Sequence, residues 1–222
     1  MFACVREPFP VLPSEAGRGS LPEMTNGQNG EAFPLLEQLS DSARLVLQKS
    51  RFAQVNGQSA SMQAIAHQSA TVFLFQSTDC PLCQKYTLPL KEIAAIYSPK
   101  NIKIYAVFLP EYDSVSEIKK YLHKYELPFD ALIDHNRVLT RLLRASVTPE
   151  VVVIDSCYQK IYQGAIDNWY YALGKRRTLV TQRYLSDVLD AMCRQELPKI
   201  TCTKAVGCFI GTDKLKTQFI NK

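Results

Sequence analysis

The chain has 222 residues, a formal charge of +5, 46% hydrophobic and 21% charged residues, which is the composition of one globular domain with tails, or two small ones. Its basic residues are scattered, the densest run being Lys175-Arg176-Arg177, and no basic stripe with interleaved aromatics or nucleic-acid module is present, so nucleic acid is not an expected partner. No run of about 18 apolar residues exists to span a membrane.

Residues 1–40 are rich in Pro, Gly, Ser, Asn and Glu and read as a mobile leader or linker, with a short helix around Phe33–Leu39. Within this segment no basic stretch followed by an apolar one precedes a small-residue cleavage site, so no signal peptide is expected. Phe2-Ala3-Cys4 has the look of the end of a lipoprotein cleavage box, and a lipid anchor at Cys4 is the minor reading beside an ordinary cysteine near a flexible start. Order is expected from near Leu45, with Phe52–Val55 a short strand and Asn56-Gly57 a tight turn. From residue 71 strands and helices alternate. Thr71–Phe75 is a β-branched and aromatic run, and Leu82, Tyr86, Leu90, Ile93, Ala94 and Tyr97 recur at helical spacing. Ile102–Leu109 reads as a strand, Val115–Tyr125 as a helix, Pro128–Ile133 as a strand and Arg137–Leu143 as a short helix. Val151–Asp155 and Gln159–Gln163 form an antiparallel pair, and Arg183–Arg194 is the closing helix. The pattern predicts an α/β fold with a mixed central sheet and helices on both faces. The domain covers residues 45–210 and a tail covers 211–222.

Seven cysteines are many for a reducing compartment and too few for a disulfide scaffold. The number is odd, and six would remain if Cys4 carried a lipid. This arithmetic favours the cell envelope or periplasm, with the cytoplasm as the alternative.

Cys80-Pro81-Leu82-Cys83 follows the strand Thr71–Phe75 and opens a helix. Pro81 suits the first helical position, where its missing N–H costs nothing, and Cys80 falls at the N-cap. A thiol so placed has a lowered pKa and is expected to be exposed and nucleophilic. Cys83, one turn later, is the resolving thiol. A c-type haem site would need His at residue 84, which is Gln84. A zinc site would need a second pair such as Cys202 and Cys208, whose five-residue gap is unusual, and His67, His123 and His135 show no ligand spacing. Inert structural cysteines and a metal-binding module that uses the thiolates remain open beside redox chemistry. No cofactor and no resident metal are expected.

Val147-Thr148-Pro149 precedes a strand, where a proline is tolerated and its peptide can be cis. With Pro89 inside the helix after the dithiol, the sequence resembles the thioredoxin superfamily over residues 45–210. That family's cis-proline loop packs against the dithiol and presents a backbone edge to substrate. Within it the chain is similar to the redoxin branch, the relatives of alkyl hydroperoxide reductase and thiol-specific antioxidant. It looks most like bacterial peroxiredoxin-like proteins with a dithiol and a Gly-Cys-x-Ile tail. The matching stretches are Ser77-Thr78-Asp79-Cys80-Pro81, Val147-Thr148-Pro149-Glu150, Gly164-Ala165-Ile166-Asp167-Asn168, Gly174-Lys175-Arg176-Arg177 and Thr203-Lys204-Ala205-Val206-Gly207-Cys208-Phe209-Ile210.

The resemblance implies a thiol–disulfide oxidoreductase with Cys80, Cys83 and Pro149 at the site and Ser77, Thr148, Asp167 and Cys208 as further candidates. A protein or small-molecule disulfide would be the substrate and a protein the reductant. The alternative is a thiol peroxidase in which peroxide oxidises Cys80. Peroxiredoxins carry Pro and Thr seven and three residues before their reactive cysteine, where this chain has Phe73 and Ser77. Thioredoxin's Trp and buried Asp correspond to Asp79 and Leu74, and no arginine is assignable to orient peroxide. Cys208 is read either as a further redox thiol or as half of a local disulfide with Cys202. Cys157 and Cys193 are read as small core or surface residues. The segment from Asp167 to Arg177 is read as an extended loop, either solvated or docking beside the dithiol.

Overall fold

The computed structural model describes residues 36–211. Most of the expected leader, with Cys4 and residues 33–35 of the expected helix, and the tail from residue 212 lie outside the described residues. The elements in chain order are α1 (Asp41–Lys49), β1 (Arg51–Gln54), β2 (Ser59–Ser61), α2 (Met62–Ile65), β3 (Ala70–Phe75), α3 (Pro81–Lys85), α4 (Thr87–Tyr97) and β4 (Ile102–Phe108). They continue as α5 (Val115–Lys124), β5 (Asp130–Ile133), α6 (Val138–Leu143), β6 (Val147–Thr148), β7 (Glu150–Asp155), β8 (Lys160–Gly164), β9 (Tyr170–Ala172), β10 (Lys175–Arg176), α7 (Tyr184–Cys193) and β11 (Cys208–Phe209).

Seven strands form one mixed sheet in the order β2-β1-β5-β4-β3-β7-β8. The β3–β4 and β4–β5 pairs are parallel, whereas β7 runs antiparallel to both β3 and β8. All six residues of β3 are buried because helices cover both faces at the centre of the sheet. The period-2 alternation divides them: Val72 and Leu74 join a core with Leu90, Ile93, Leu185 and Val188. Phe73 and Phe75 join the opposite core with Leu47, Met62, Ile65 and Leu139. This is the mixed α/β, thioredoxin-like architecture that the sequence predicts.

Three local readings are corrected. Helical structure starts at Asp41, not Leu45, where the Ser40 hydroxyl accepts a hydrogen bond from the Ala43 N–H at 3.2 Å. Residues 36–39 are not helical, and Gln38 exchanges side-chain hydrogen bonds with the Lys160 backbone on β8 (2.8 and 3.1 Å), so the last leader residues pack on the domain. The run after the dithiol is two helices. Pro89 has no N–H for the Lys85 carbonyl and its ring crowds that carbonyl, so the chain turns at Tyr86 (φ −82°, ψ −1°) before bonding resumes from the Leu90 N–H to the Tyr86 carbonyl.

Candidate active site

Cys80 ends the turn that leaves β3, with extended backbone, and Pro81 begins α3. The turn is fixed by Asp113, whose Oδ1 accepts hydrogen bonds from the Thr78 N–H (2.8 Å), the Thr78 hydroxyl (2.6 Å) and the Ser77 hydroxyl (3.4 Å). Gln84 closes it from the other side, its amide donating to the Thr78 carbonyl at 2.9 Å. Ser77, the candidate that keeps a hydroxyl near the reactive thiol, is therefore turned toward Asp113. Asp113 is 1% exposed and burial raises its pKa despite these donors. Replacing it with Ala removes charge-assisted bonds and is expected to lower the unfolding free energy by about 2 kcal/mol, read from urea denaturation.

The Thr148–Pro149 peptide is cis, as the sequence suggested, and lies against the dithiol. The Thr148 carbonyl is 3.2 Å from Cys80 Sγ and accepts the thiol hydrogen when Cys80 is protonated. Glu150 holds this loop from beneath. Its carboxylate accepts from the Ser146 N–H at 2.7 Å, the Val147 N–H at 3.3 Å and the Gln163 amide at 3.0 Å.

Cys208 arrives from the far end of the chain. Strand β11 pairs antiparallel with β6, with Cys208 opposite Thr148 and Phe209 opposite Val147, and the Cys208 sulfur is 2.9 Å from that of Cys80. Three thiols thus meet. Cys80 is buried (3% exposed), which corrects the expectation of an exposed thiol: β11 and Tyr170 pack over the pair. Cys83 is wholly enclosed.

The thiols divide electrostatically. Cys80 is lowered to about 4, chiefly by the hydrogen bond from the Cys83 thiol, then by Cys208 and the Cys83 backbone amide, against the opposing effect of burial. Burial, with the neighbouring Cys80 charge, pushes Cys83 well above the ordinary thiol range and Cys208 up to about 11. Cys80 is the N-cap of α3, as the sequence predicts, and the Cys83 N–H at that terminus helps hold the thiolate, but the S–H donor of Cys83 is the largest stabiliser.

Asp167, read as part of a loop, is buried and accepts hydrogen bonds from the Tyr86 hydroxyl (2.6 Å) and the Trp169 N–H (2.8 Å), which ties this segment to the turn after α3. Residues 170–176 are a β9–β10 hairpin, a correction to the extended loop. Tyr170 packs on Cys80, Leu82 and Cys83. The local Cys202–Cys208 disulfide is not formed. Both thiols are free, Cys202 pairing with Gln163 at the β8 edge while Cys208, on β11, pairs with Thr148 of β6. Cys193 is free and exposed, and Cys157, read as a small filler, is disulfide-bonded. Among the described residues no group of three or more His, Cys, Asp or Glu is placed to hold a metal ion, and no helix is long and apolar enough to cross a membrane. Sequence reasoning missed Asp113, Glu150, Gln84 and Tyr170. Asp113 stands just before the N-cap of α5 and reads locally as a turn residue. Only the long-range fold brings it to the dithiol.

A dithiol at a strand-to-helix junction, one thiol ionised and one held protonated, facing a cis-proline loop, defines a thioredoxin-like redox protein. The sequence profile of the AhpC/TSA family matches residues 44–162, more than half of the chain. The chain belongs to the AhpC/TSA family, and Cys80 and Cys83 carry its thiol-based redox chemistry. No curated protein matches it. Among solved structures it is similar to an uncharacterized conserved protein from Geobacillus kaustophilus, with TM-score 0.66, 22% identity, and 82% of this chain and 95% of that one covered. It is also similar to a hypothetical protein from Sinorhizobium meliloti 1021, with TM-score 0.64, 20% identity and coverages of 72% and 89%. The likeness to Xanthomonas campestris peroxiredoxin Q has TM-score 0.51, 16% identity and coverages of 71% and 95%. At these identities the likeness is one of fold.

Proposed function

We propose that the protein is a thiol–disulfide oxidoreductase in which the Cys80 thiolate attacks a substrate disulfide and Cys83 resolves the mixed disulfide. The observation that carries this reading is the division of labour between a Cys80 held ionised beside the cis-proline loop and a Cys83 held protonated one helical turn below it. Cys80 Sγ attacks one sulfur of the substrate and the other departs as a thiolate. Cys83 then transfers its proton as its sulfur displaces the bound half and forms the Cys80–Cys83 disulfide. Pro149 sets the edge on which Thr148 meets Cys80. The substrate is a protein or small-molecule disulfide, and a partner protein restores the redox state of the pair. A cell-envelope location fits the disulfide at Cys157.

Peroxide reduction at Cys80 is the second reading, supported by family membership. Two features weigh against it. Phe73 is a core residue of β3, and among the described residues the main causes of the lowered Cys80 pKa are thiol and backbone hydrogen bonds rather than an arginine or lysine charge. Steady-state reduction of insulin and of glutathione disulfide, beside hydrogen peroxide consumption by the same preparation, tests the choice. Disulfide turnover with only slow peroxide consumption is expected; fast, saturating peroxide consumption would reverse the ranking.

A further inference from the structure

The Gly-Cys-x-Ile tail has a physical reading residue by residue. A Cβ on Gly207 would lie 2.1 Å from the Thr148 carbonyl oxygen, so only glycine lets the backbone approach the cis-proline loop this closely. Cys208 faces inward onto Cys80. Phe209 faces outward and is 82% exposed, while Ile210 turns inward again, 6% exposed, into the core with Leu139 and Phe75. The Ile210 N–H bonds to the Ser146 carbonyl at 2.9 Å, and Arg137 donates to the Gly211 carbonyl. Upstream, the Thr203 hydroxyl meets the Tyr162 hydroxyl at 2.6 Å and the Ala165 N–H at 3.0 Å. The segment is thus fixed on both sides of its cysteine, in strand register with the loop that faces the dithiol.

We propose that Cys208 is a third redox thiol of this site, carried on a strand that occupies the cis-proline edge as an extended disulfide-bearing substrate would, so that oxidation passes through an internal Cys80–Cys208 disulfide that closes the cleft. The proposal rests on the reading of Cys80 as the attacking thiolate and interposes Cys208 before Cys83: Cys208 releases the bound half, and Cys83 then forms the final Cys80–Cys83 disulfide. Its steps balance. Cys80 attacks a small disulfide, one thiolate leaves, and a Cys80 mixed disulfide forms. The Cys208 thiol gives its proton to the second leaving sulfur as it attacks Cys80 Sγ. The Cys80–Cys208 bond forms, the mixed disulfide breaks, and two electrons have passed from the protein to the small disulfide. Cys83 then attacks Cys80 Sγ and passes its proton to the departing Cys208, which moves the disulfide to Cys80–Cys83 without further electron transfer. The half-buried Cys208 lies on the side from which a substrate strand would pair with β6, whereas Cys83 is enclosed beneath.

The test uses the full chain as Cys83→Ser and as Cys83→Ser/Cys208→Ser, each reduced, exposed to excess glutathione disulfide, quenched in acid, alkylated and mapped by peptide mass. In Cys83→Ser most molecules are expected to have lost glutathione and to hold an intramolecular Cys80–Cys208 disulfide. The double variant is expected to keep glutathione on Cys80 at ten times the occupancy or more. Equal glutathione occupancy in the two, with Cys208 alkylated, would overturn the proposal, as would a disulfide joining two chains. If Cys80 takes no glutathione even in the double variant, the attacking role of Cys80 fails and this proposal with it.

Discussion

Cys80→Ser is expected to abolish disulfide turnover, with a loss on the order of 10³-fold or more, because the hydroxyl that replaces the thiolate is not ionised near neutral pH and cannot form the mixed disulfide. Cys80 belongs to a small buried cluster with Leu82 and Cys83, against which Tyr170, Val206 and Cys208 pack, and oxygen is smaller than sulfur, so the fold is expected to survive. The near- and far-ultraviolet circular dichroism of the variant should match that of the parent. Steady-state reduction of insulin and of glutathione disulfide reads the effect. Retention of a tenth of the parent rate would show that another thiol carries the chemistry.

The reduction potential should fall by about 30 mV per pH unit between about pH 5 and pH 8, half the slope of an ordinary dithiol, for which two protons accompany two electrons. The sign follows from the thiols. Cys80, lowered to about 4, is already ionised across this range, while Cys83 is held protonated well above it. Reduction therefore takes up one proton. Cys208, pushed up to about 11, is also protonated there, so the slope is the same whichever thiol closes the disulfide. The lowered Cys80 pKa stabilises the reduced folded protein in full above the ordinary thiol range. That advantage shrinks as the pH falls and is gone below about 4. A stabilised thiolate favours the reduced state, so the couple is expected on the oxidising side of thioredoxin's roughly −270 mV. Glutathione redox titrations at several pH values measure both quantities. A slope of about 60 mV per unit would place the Cys80 pKa above the range.

The middle of the central sheet was legible because β3, β4 and β7 are runs of β-branched and aromatic residues and the helices between keep their period, whereas β2 (Ser59–Ser61) has no such residue and was not predicted. Thr71–Phe75 differs from the observed strand by a single residue at its start. Helix α1 was not legible: Leu45 and Val46 are 49% and 52% exposed while Leu47 alone is buried, so no apolar stripe marks it. The β9–β10 hairpin was hidden in the same way, since its residues are exposed or half-buried and its turn is marked only by Gly174 at φ +72°. At the site, local chemistry identified Cys80, Cys83 and the cis peptide. The contact between Cys80 and Cys208 spans 128 residues of sequence and follows from strand pairing, which spacing alone cannot express. The low pKa was anticipated for an incomplete reason, since a helix terminus is visible in sequence and a ring of neighbouring thiols is not.

The segment that delivers Cys208 also closes an outer margin of the sheet. Residues 201–203 bond alongside Gln163, the Gln163 N–H to the Thr201 carbonyl and the Thr203 N–H to the Gln163 carbonyl, each at 3.0 Å. A Cβ on Gly164 would lie 2.3 Å from Thr203, which shows how tightly this cover is laid. Strand β8 consequently offers little free backbone at this point to a neighbouring molecule, and the opposite margin, β2, is three residues long. Edge-to-edge association of copies is disfavoured at both ends. Shortening the chain to end before Thr201 would uncover the β8 margin together with the dithiol, and such a protein should be more prone to aggregate even where its core is unchanged.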